Sequence, residues 1–352
     1  MTTSARQLIL DAAHRRRTER TPVWLMRQAG RSDPEYCRLR ERCGLPLEEL
    51  FQSPELAARI TLQPRRLGVD ALILFQDILT PLAPMGAPFL YRPGPVLADS
   101  DRPEEIAGRL RDIDPAEDLG FVAESIRRVR AEAGDELALL GFAGAPMTLA
   151  AFLLEGGSPG ELHNTRKLMR EDPGRVHDLL DRLARMTSAY LSLQIETGVD
   201  AVQLFESIAD LLTEEEYRTF AHPYQAQALG DLRATVPVIL FVKERPWIDL
   251  MIETGADVLS VGKCVDLAEA RRNYGDRVAF QGNVDNRLLV DGSPEAITRA
   301  VEACVEAGGH EGHILNLSHG LLPETPFDNV RRFVEACHAA RIESDPVNVR
   351  GT

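Results

Sequence analysis

The sequence predicts an α/β protein, namely a single (β/α)8 barrel of the TIM type formed by residues 1–352. Eight short apolar runs recur along the chain, and longer amphipathic stretches separate them. Each run has about five or six residues and is apolar nearly throughout, which is typical of parallel strands buried on both faces. No Ser/Gly-rich linker interrupts the alternation, and a barrel of this kind often exceeds about 250 residues as one domain. An open doubly wound sheet has the same periodicity and is the alternative.

The amphipathic stretches between the predicted strands have the start and stop signals of helices. The eight strands are PVWLM (22–26), DALILF (70–75), LALLGF (137–142), AVQLF (201–205), PVILFV (237–242), DVLSV (257–261), RVAFQG (277–282) and HILNLS (313–318). Helices are predicted over 115–135, which has an acidic beginning and ends near Gly134, and over 293–309, which begins with Ser-Pro. Residues 172–198 are long enough for one extended helix or two. The proline-rich segment 83–118 predicts an insertion after the second strand.

The charge balance and the apolar pattern exclude several classes of protein. A net charge of −14, from 40 Lys and Arg against 54 Asp and Glu, argues against a nucleic-acid or anionic-membrane surface. No apolar run approaches the roughly 18 residues that a membrane span needs, and the N-terminal residues do not form a secretory signal. The five cysteines form no CxxC pair, as is usual in the reducing cytosol. We therefore expect a cytoplasmic protein that binds neither nucleic acid nor membranes.

Polar residues directly follow several of the predicted strands. Arg27 follows the first strand and Asp77 the second, while Ser207 follows the fourth and His319 the eighth. In a barrel, the residues that carry catalysis lie at the carboxyl ends of the strands. We therefore expect these side chains to converge on one site.

Four arginines form a cationic cluster in an otherwise acidic chain. They are Arg27, Arg31, Arg38 and Arg40. The fork of a guanidinium binds carboxylate or phosphate through two hydrogen bonds, and Gly30 lets a ligand approach the backbone closely. The cluster favours a substrate with several anionic groups, and a set of surface charges is the alternative.

The remaining signals do not define a reaction by themselves. Asp77 ends a buried strand, where a carboxylate either caps a turn, pairs with an arginine or belongs to an active site. His319 and Ser207 have no recognisable catalytic partner in the sequence. The chain contains no HExxH, GxSxG or Cys/His zinc spacing and no nucleotide fingerprint. Composition and spacing therefore predict a barrel enzyme for a polyanionic substrate, with no metal.

Several segments resemble the uroporphyrinogen decarboxylase family. PVWLMRQAGRSDPEY (22–36) resembles the family signature PVWxMRQAGRxxPEY, and GFAGAPMTLAAFLLEGG (141–157) resembles GFxGxPWTLxxYxxEGG. Further similar segments follow in the family's order: TLQPRR (61–66), LFQDILTP (74–81), QLFES (203–207), FQGNVD (280–285) and NLSHG (316–320). The resemblance implies a barrel, usually a homodimer, that removes four acetate carboxyls from uroporphyrinogen III. The product is coproporphyrinogen III, a haem precursor, and the family uses no metal or organic cofactor.

The resemblance also implies roles for individual residues. Asp77 would accept hydrogen bonds from the pyrrole N–H groups and stabilise the cation that forms during decarboxylation. Arg27 and Arg31 would bind substrate carboxylates, and Arg27 would also position the departing one. Arg40 matches an arginine proposed as proton donor, a difficult role because the pKa of arginine is very high. Asp77 and Arg27 are the expected catalytic residues, and the implied substrate-binding residues are Arg27, Gln28, Ala29, Gly30, Arg31, Arg40, Asp77, Phe152, Ser207 and His319.

The sequence departs from the family pattern at several positions. Phe152 stands where the second signature has tyrosine, so a hydroxyl is missing from the expected pocket, and Met147 replaces the usual tryptophan. Further differences follow the fourth, sixth and eighth strands. Two alternatives stay open on this ground: a relative that binds or converts another tetrapyrrole, and a corrinoid-linked methyltransferase, whose zinc ligands have no match around Lys243 or His319.

Overall fold

A parallel sheet of seven strands forms the centre of the computed structural model, which describes residues 3–98, 103–230, 232 and 235–340. Its strands are β1 (Ala71–Ile73), β4 (Ala138–Gly144), β5 (Ala201–Glu206), β6 (Val238–Val242), β7 (Val258–Val261), β8 (Ala279–Gln281) and β9 (His313–Ile314). They follow one another in the sheet in this order, and every neighbouring pair is parallel. The predicted α/β class with parallel strands is confirmed. Seven of the eight predicted runs overlap with these strands, in the predicted order.

Helices connect the strands and cover the sheet. The α-helices are α1 (Ala5–Ala13), α2 (Pro34–Cys43), α3 (Leu47–Gln52), α4 (Pro54–Leu62), α5 (Pro103–Gly108), α6 (Pro115–Asp118), α7 (Gly120–Ala133), α8 (Pro146–Glu155), α9 (His163–Glu171), α10 (Pro173–Thr197), α11 (Glu214–Glu216), α12 (His222–Leu229), α13 (Ile248–Glu253), α14 (Leu267–Tyr274), α15 (Leu288–Asp291), α16 (Pro294–Gly308) and α17 (Phe327–Ala339). The segment 172–198 forms the single helix α10, which Asp172 caps. Ser293 caps α16 by accepting a hydrogen bond from the N–H of Ala296. None of the described helices is long and apolar enough to cross a membrane.

The first predicted strand, 22–26, is replaced by a single parallel bridge between Val23 and Leu315. The N–H of Val23 donates to the side chain of Asp70 at 2.8 Å, and the N–H of Met26 donates to the side chain of Asn316 at 3.1 Å. Polar side chains thus take donors that a strand would give to its neighbour, and the prediction of a regular strand here is wrong. The segment still lies between the two edges of the sheet, because the N–H of Asp70 donates to the carbonyl of Val23 at 2.7 Å and that of Leu315 to Pro22 at 2.8 Å.

The segment 83–118 contains an antiparallel hairpin of β2 (Phe89–Tyr91) and β3 (Pro95–Leu97) as well as α5 and α6. The hairpin is attached to the loop after α8. The N–H of Leu97 donates to the carbonyl of Gly156 at 3.0 Å, and Val96 forms a bridge with Gly157. This attachment carries the hairpin over the carboxyl ends of β1 and β4.

Candidate active site

A cavity of about 450 Å³ opens at the carboxyl ends of the strands. This volume lies in the range of roughly 300–1,000 Å³ that is usual for small-molecule sites. The residues that line it come from the turn after 22–26, the ends of β1, β4, β5 and β6, the hairpin, and the segment after β9. The cavity is therefore at the end of the sheet where the sequence predicted a site.

Arg27 lies on a tight turn that projects its side chain into the cavity. Its backbone is left-handed, with φ +59°, a conformation that costs energy in a residue with a side chain. Gln28 holds this turn from behind: its side chain is 1% exposed, accepts from the N–H of Leu25 at 3.2 Å and donates to the carbonyl of Ala71 at 3.0 Å. The sequence predicted Gln28 as a substrate contact, but the structure buries it behind the turn.

Asp77 follows β1 and lies at the edge of the cavity. Its carboxylate accepts from the N–H of Leu79 at 2.9 Å and has the Tyr91 hydroxyl and the Arg27 guanidinium nearby. Burial raises the pKa of the Asp77 carboxyl, and this effect exceeds the lowering by those three neighbours. The carboxylate and Arg27 also interact by charge, since Asp77 opposes the lowering of the pKa of Arg27 that burial causes. The cavity thus holds a carboxylate whose negative charge is incompletely compensated before a ligand binds.

His319 follows β9 and is a neutral hydrogen-bonding group. Its Nδ1 accepts from the N–H of Gly320 at 2.7 Å, so the ring carries its proton on Nε2. Burial, with the nearby charges of Arg27 and Lys243, lowers the pKa of His319 to about 3. At neutral pH this side chain therefore offers a donor without adding a charge.

Ser207 is held by a buried polar network behind the cavity. Its N–H donates to Oγ1 of Thr148 at 2.9 Å, and the hydroxyl of Thr148 donates to the Glu206 carboxylate. The side chain of Gln225 donates to the other carboxylate oxygen at 2.9 Å. Burial raises the pKa of the fully enclosed Glu206 to about 7. The network orients the backbone that carries Ser207, and it contains a carboxyl, that of Glu206, which titrates near neutral pH.

Aromatic rings form part of the cavity wall. Phe142 packs against Phe205 with ring centroids 5.6 Å apart, and Phe205 packs against Phe241 at 5.7 Å. Phe241 lies edge-on to His319 at 5.7 Å. Phe152 also lines the cavity and brings a ring without a hydroxyl. These rings suit a ligand with flat apolar rings, while the guanidinium groups suit its anionic groups.

The structure brings most of the predicted residues together and leaves two outside. The cavity lining includes Arg27, Ala29, Gly30, Arg31, Asp77, Phe152, Ser207 and His319. Gln28 is behind the turn, and Arg40 lies on α2, where its side chain donates to the Tyr36 hydroxyl at 3.4 Å. Sequence reasoning missed Tyr91, Gly320 and the phenylalanines of the wall. The phenylalanines stood inside recognised strands, but nothing in the sequence indicated which of them face the cavity.

The described residues contain no group of three or more His, Cys, Asp and Glu side chains that is arranged to hold a metal ion. Lys243, directly after β6, is paired instead with Asp210 at 3.0 Å. The segments around Lys243 and His319 therefore lack the ligand pattern that a zinc-dependent methyltransferase would require.

The fold and the cavity define an α/β enzyme that surrounds one partly buried carboxylate with cations and aromatic rings. A model of the uroporphyrinogen decarboxylase family matches residues 4–340. The uroporphyrinogen decarboxylase of Sorangium cellulosum is 41% identical over 344 residues (96% of this chain and 98% of the relative). That of Streptomyces avermitilis is 44% identical over 334 residues (94% and 93%). The chain belongs to the uroporphyrinogen decarboxylase family, which is a family of carboxy-lyases.

A solved structure shows how widely this fold is shared. A methyltransferase from Methanosarcina mazei superimposes with a TM-score of 0.79 at 22% identity, and the match covers 96% of this chain and 98% of that one. At this level of identity the likeness concerns the fold alone, because one fold carries many activities.

Proposed function

We propose that the cavity binds uroporphyrinogen III and removes its four acetate carboxyls, which gives coproporphyrinogen III. The observation that carries this assignment is the position of Asp77, a partly buried carboxylate that lines the same cavity as Arg27 and Arg31. A substrate with many carboxylates and four pyrrole N–H groups matches both the guanidinium groups and the carboxylate of the cavity. Its carboxylates meet the guanidinium groups, and its N–H groups meet Asp77.

The pyrrole itself supplies the place for the electrons that decarboxylation releases. Protonation of the ring carbon beside the acetate-bearing carbon makes the ring cationic. The bond between the acetate CH₂ and its carboxylate then breaks, carbon dioxide leaves, and the electron pair neutralises the ring. The resulting methylene takes up one proton and the ring carbon loses one, so each acetate becomes a methyl group at the cost of one proton. Asp77 stabilises the cationic stage by charge and by accepting hydrogen bonds from the pyrrole N–H groups.

The other lining residues hold the substrate in place. Arg27 and Arg31 bind acetate or propionate carboxylates through the two donors of each fork. His319 donates from Nε2 to a further carboxylate without charging at neutral pH, because its pKa is about 3. The Ser207 hydroxyl adds another donor. Ala29 and Gly30 expose backbone between the two arginines and allow close approach.

The proposal extends to the whole molecule as a closed (β/α)8 barrel in one domain. The segment 22–26 supports closure, since it hydrogen-bonds to Leu315 on one side and to Asp70 on the other. The proposal includes a cytoplasmic homodimer that acts on a small-molecule tetrapyrrole. It binds no nucleic acid, in line with the net charge of −14. The reaction as written uses only groups of the chain and of the substrate, so we propose no metal or organic cofactor.

An anaerobic assay tests the proposed function. The protein is incubated with freshly reduced uroporphyrinogen III, and the products are oxidised and separated by chromatography. A series of porphyrins from eight carboxyls down to four, unaffected by a chelator, is the expected result. An unchanged eight-carboxyl peak from folded protein would overturn the proposal and favour a relative that binds tetrapyrroles without this chemistry. Stoichiometric, tightly held zinc would instead favour the methyltransferase alternative.

A further inference from the structure

Tyr91 reaches the cavity from the hairpin, which lies outside the strand ends that supply most of the site. It is the last residue of β2, opposite Pro95 on β3. Side chains two residues apart on a strand point to the same face, and Phe89 packs edge-on to Phe152 at 6.4 Å. Phe89 and Tyr91 therefore both face the cavity wall, and Tyr91 brings to this region the phenolic hydroxyl that Phe152 lacks.

The ring of Tyr91 is fixed by aromatic contacts that lead to the same strand end as Asp77. Tyr91 lies edge-on to Phe51 with centroids 5.7 Å apart, and Phe51 packs on Phe75 at 5.1 Å. The side chain of Gln76 donates to the carbonyl of Phe51 at 2.8 Å. These contacts connect the hairpin, α3 and the turn after β1 in one packed unit, which contains both Tyr91 and Asp77.

We propose that Tyr91 is a positioning residue for the reaction, because its hydroxyl donates a hydrogen bond to the Asp77 carboxylate and turns it toward the bound pyrroles. The expected effect of this hydrogen bond on catalysis rests on the proposed function. Both side chains line the same cavity, and the Tyr91 hydroxyl, as a donor, lowers the pKa of the Asp77 carboxyl. A second fixed donor, the N–H of Leu79, holds one carboxylate oxygen at 2.9 Å, so the two donors together restrict the orientation of the group.

The surrounding charges keep Tyr91 in its donating form. Burial and the charges of Asp77 and Glu48 raise the pKa of the Tyr91 phenol, so the hydroxyl retains its proton at any working pH. The charge of Arg27 also lowers the pKa of the Asp77 carboxyl. Tyr190 of α10 is a further titratable neighbour, whose pKa is raised by burial and by the charge of Asp77, so it stays neutral. Tyr91 and Arg27 thus both favour the ionised form of Asp77.

The test compares Tyr91→Phe with Tyr274→Phe. Tyr274 donates to Asp249 at 3.1 Å away from the cavity, so its variant loses the same kind of hydrogen bond outside the site. In the porphyrinogen assay, Tyr91→Phe is expected to lower kcat by about tenfold or more, since hydrogen bonds to charged groups are the stronger ones. KM should change little. The acid limb of the pH profile should move to higher pH, because removing a donor raises the pKa of the carboxylate that must be ionised. Tyr274→Phe should match the unsubstituted protein in all three respects.

A carboxyl ¹³C NMR titration of the ligand-free protein separates this inference from the proposed function. The signal of Asp77 is assigned by its loss in Asp77→Asn, and its pKa should be higher in Tyr91→Phe than in the unsubstituted protein. This measurement shows whether Tyr91 donates to Asp77 even if the protein produces no coproporphyrinogen. An unchanged pKa of Asp77, or a fall in kcat with an unmoved acid limb, would overturn the inference and leave Tyr91 as a packing residue.

Discussion

Gly320 lies directly against the side chain of Arg27, and no larger residue fits there without moving the arginine. A Cβ at position 320 would be 2.5 Å from Cδ and 2.7 Å from Cγ of Arg27. The N–H of Gly320 also donates to Nδ1 of His319. One glycine therefore sets the path of the arginine and the tautomer of the histidine that share the cavity.

Gly320→Ala should displace Arg27 and slow the reaction. A shift of about 1 Å in a group that positions substrate can cost about 100-fold in rate, so we expect kcat to fall about 10- to 100-fold. Gly160→Ala is the matched control, because a Cβ at Gly160 would meet nothing within 4 Å. Steady-state kinetics of both variants check this prediction. Equal kcat values would show that the reaction does not depend on the present position of the Arg27 side chain.

Arg31→Lys should weaken substrate binding more than chemistry. Arg31 is exposed at the mouth of the cavity, where we propose that it contacts a peripheral carboxylate through a fork that lysine cannot reproduce. KM should rise about tenfold, in line with the loss of one charge-assisted hydrogen bond, while kcat stays nearly constant. Arg38→Lys, on the exposed side of α2, should leave both constants unchanged. A fall in kcat without a rise in KM would place Arg31 in the chemical step instead.

Glu206 should make the protein less stable as pH rises toward neutrality. The pKa of this carboxyl is about 7 in the folded protein against an ordinary value of 4.5. Both states carry the proton below pH 4.5, whereas between pH 4.5 and 7 the unfolded chain releases a proton that the folded protein retains. The free energy of unfolding should therefore fall over this window, by up to about 3 kcal/mol.

Glu206→Gln isolates this contribution from that of other groups. Urea unfolding at several pH values should show that the difference in stability between the unsubstituted protein and Glu206→Gln depends on pH between 4.5 and 7. Glu196→Gln, an exposed position on α10, should differ from the unsubstituted protein by a small constant amount. A pH-independent difference for Glu206→Gln would mean that the Thr148 and Gln225 donors hold Glu206 ionised throughout.

The sequence predicted those parts of the fold that depend on continuous burial. Strands such as β6, with five buried residues in a row, leave a clear apolar run because parallel strands are covered on both faces. The first predicted strand failed for a physical reason that is not local. Two of its N–H groups, those of Val23 and Met26, donate to the side chains of Asp70 and Asn316, which lie 47 and 290 residues further along the chain.

The same limit applies to the site. Asp77, Ser207 and His319 could be predicted because each follows a strand, and strand ends meet in space. Arg27 was predicted in the same way, because the segment 22–26 lies beside the sheet although it is not a regular strand. Tyr91 could not, because it enters from an insertion whose path over the cavity depends on pairing with the loop after α8. The burial of Gln28 could not be predicted either, because the partner of its side chain is the carbonyl of Ala71 on β1, which is distant in the sequence.

The central claim is that the Asp77 carboxylate stabilises the cationic pyrrole, and Asp77→Asn tests it most directly. Asparagine keeps the size of the side chain and removes its charge. In the anaerobic porphyrinogen assay, kcat should fall by at least about 100-fold, as for other losses of a group aimed at developing charge. Fluorescence titration with oxidised uroporphyrin should still detect binding. Turnover within about twofold of the unsubstituted protein would contradict the account, because the cation would then be stabilised without this carboxylate.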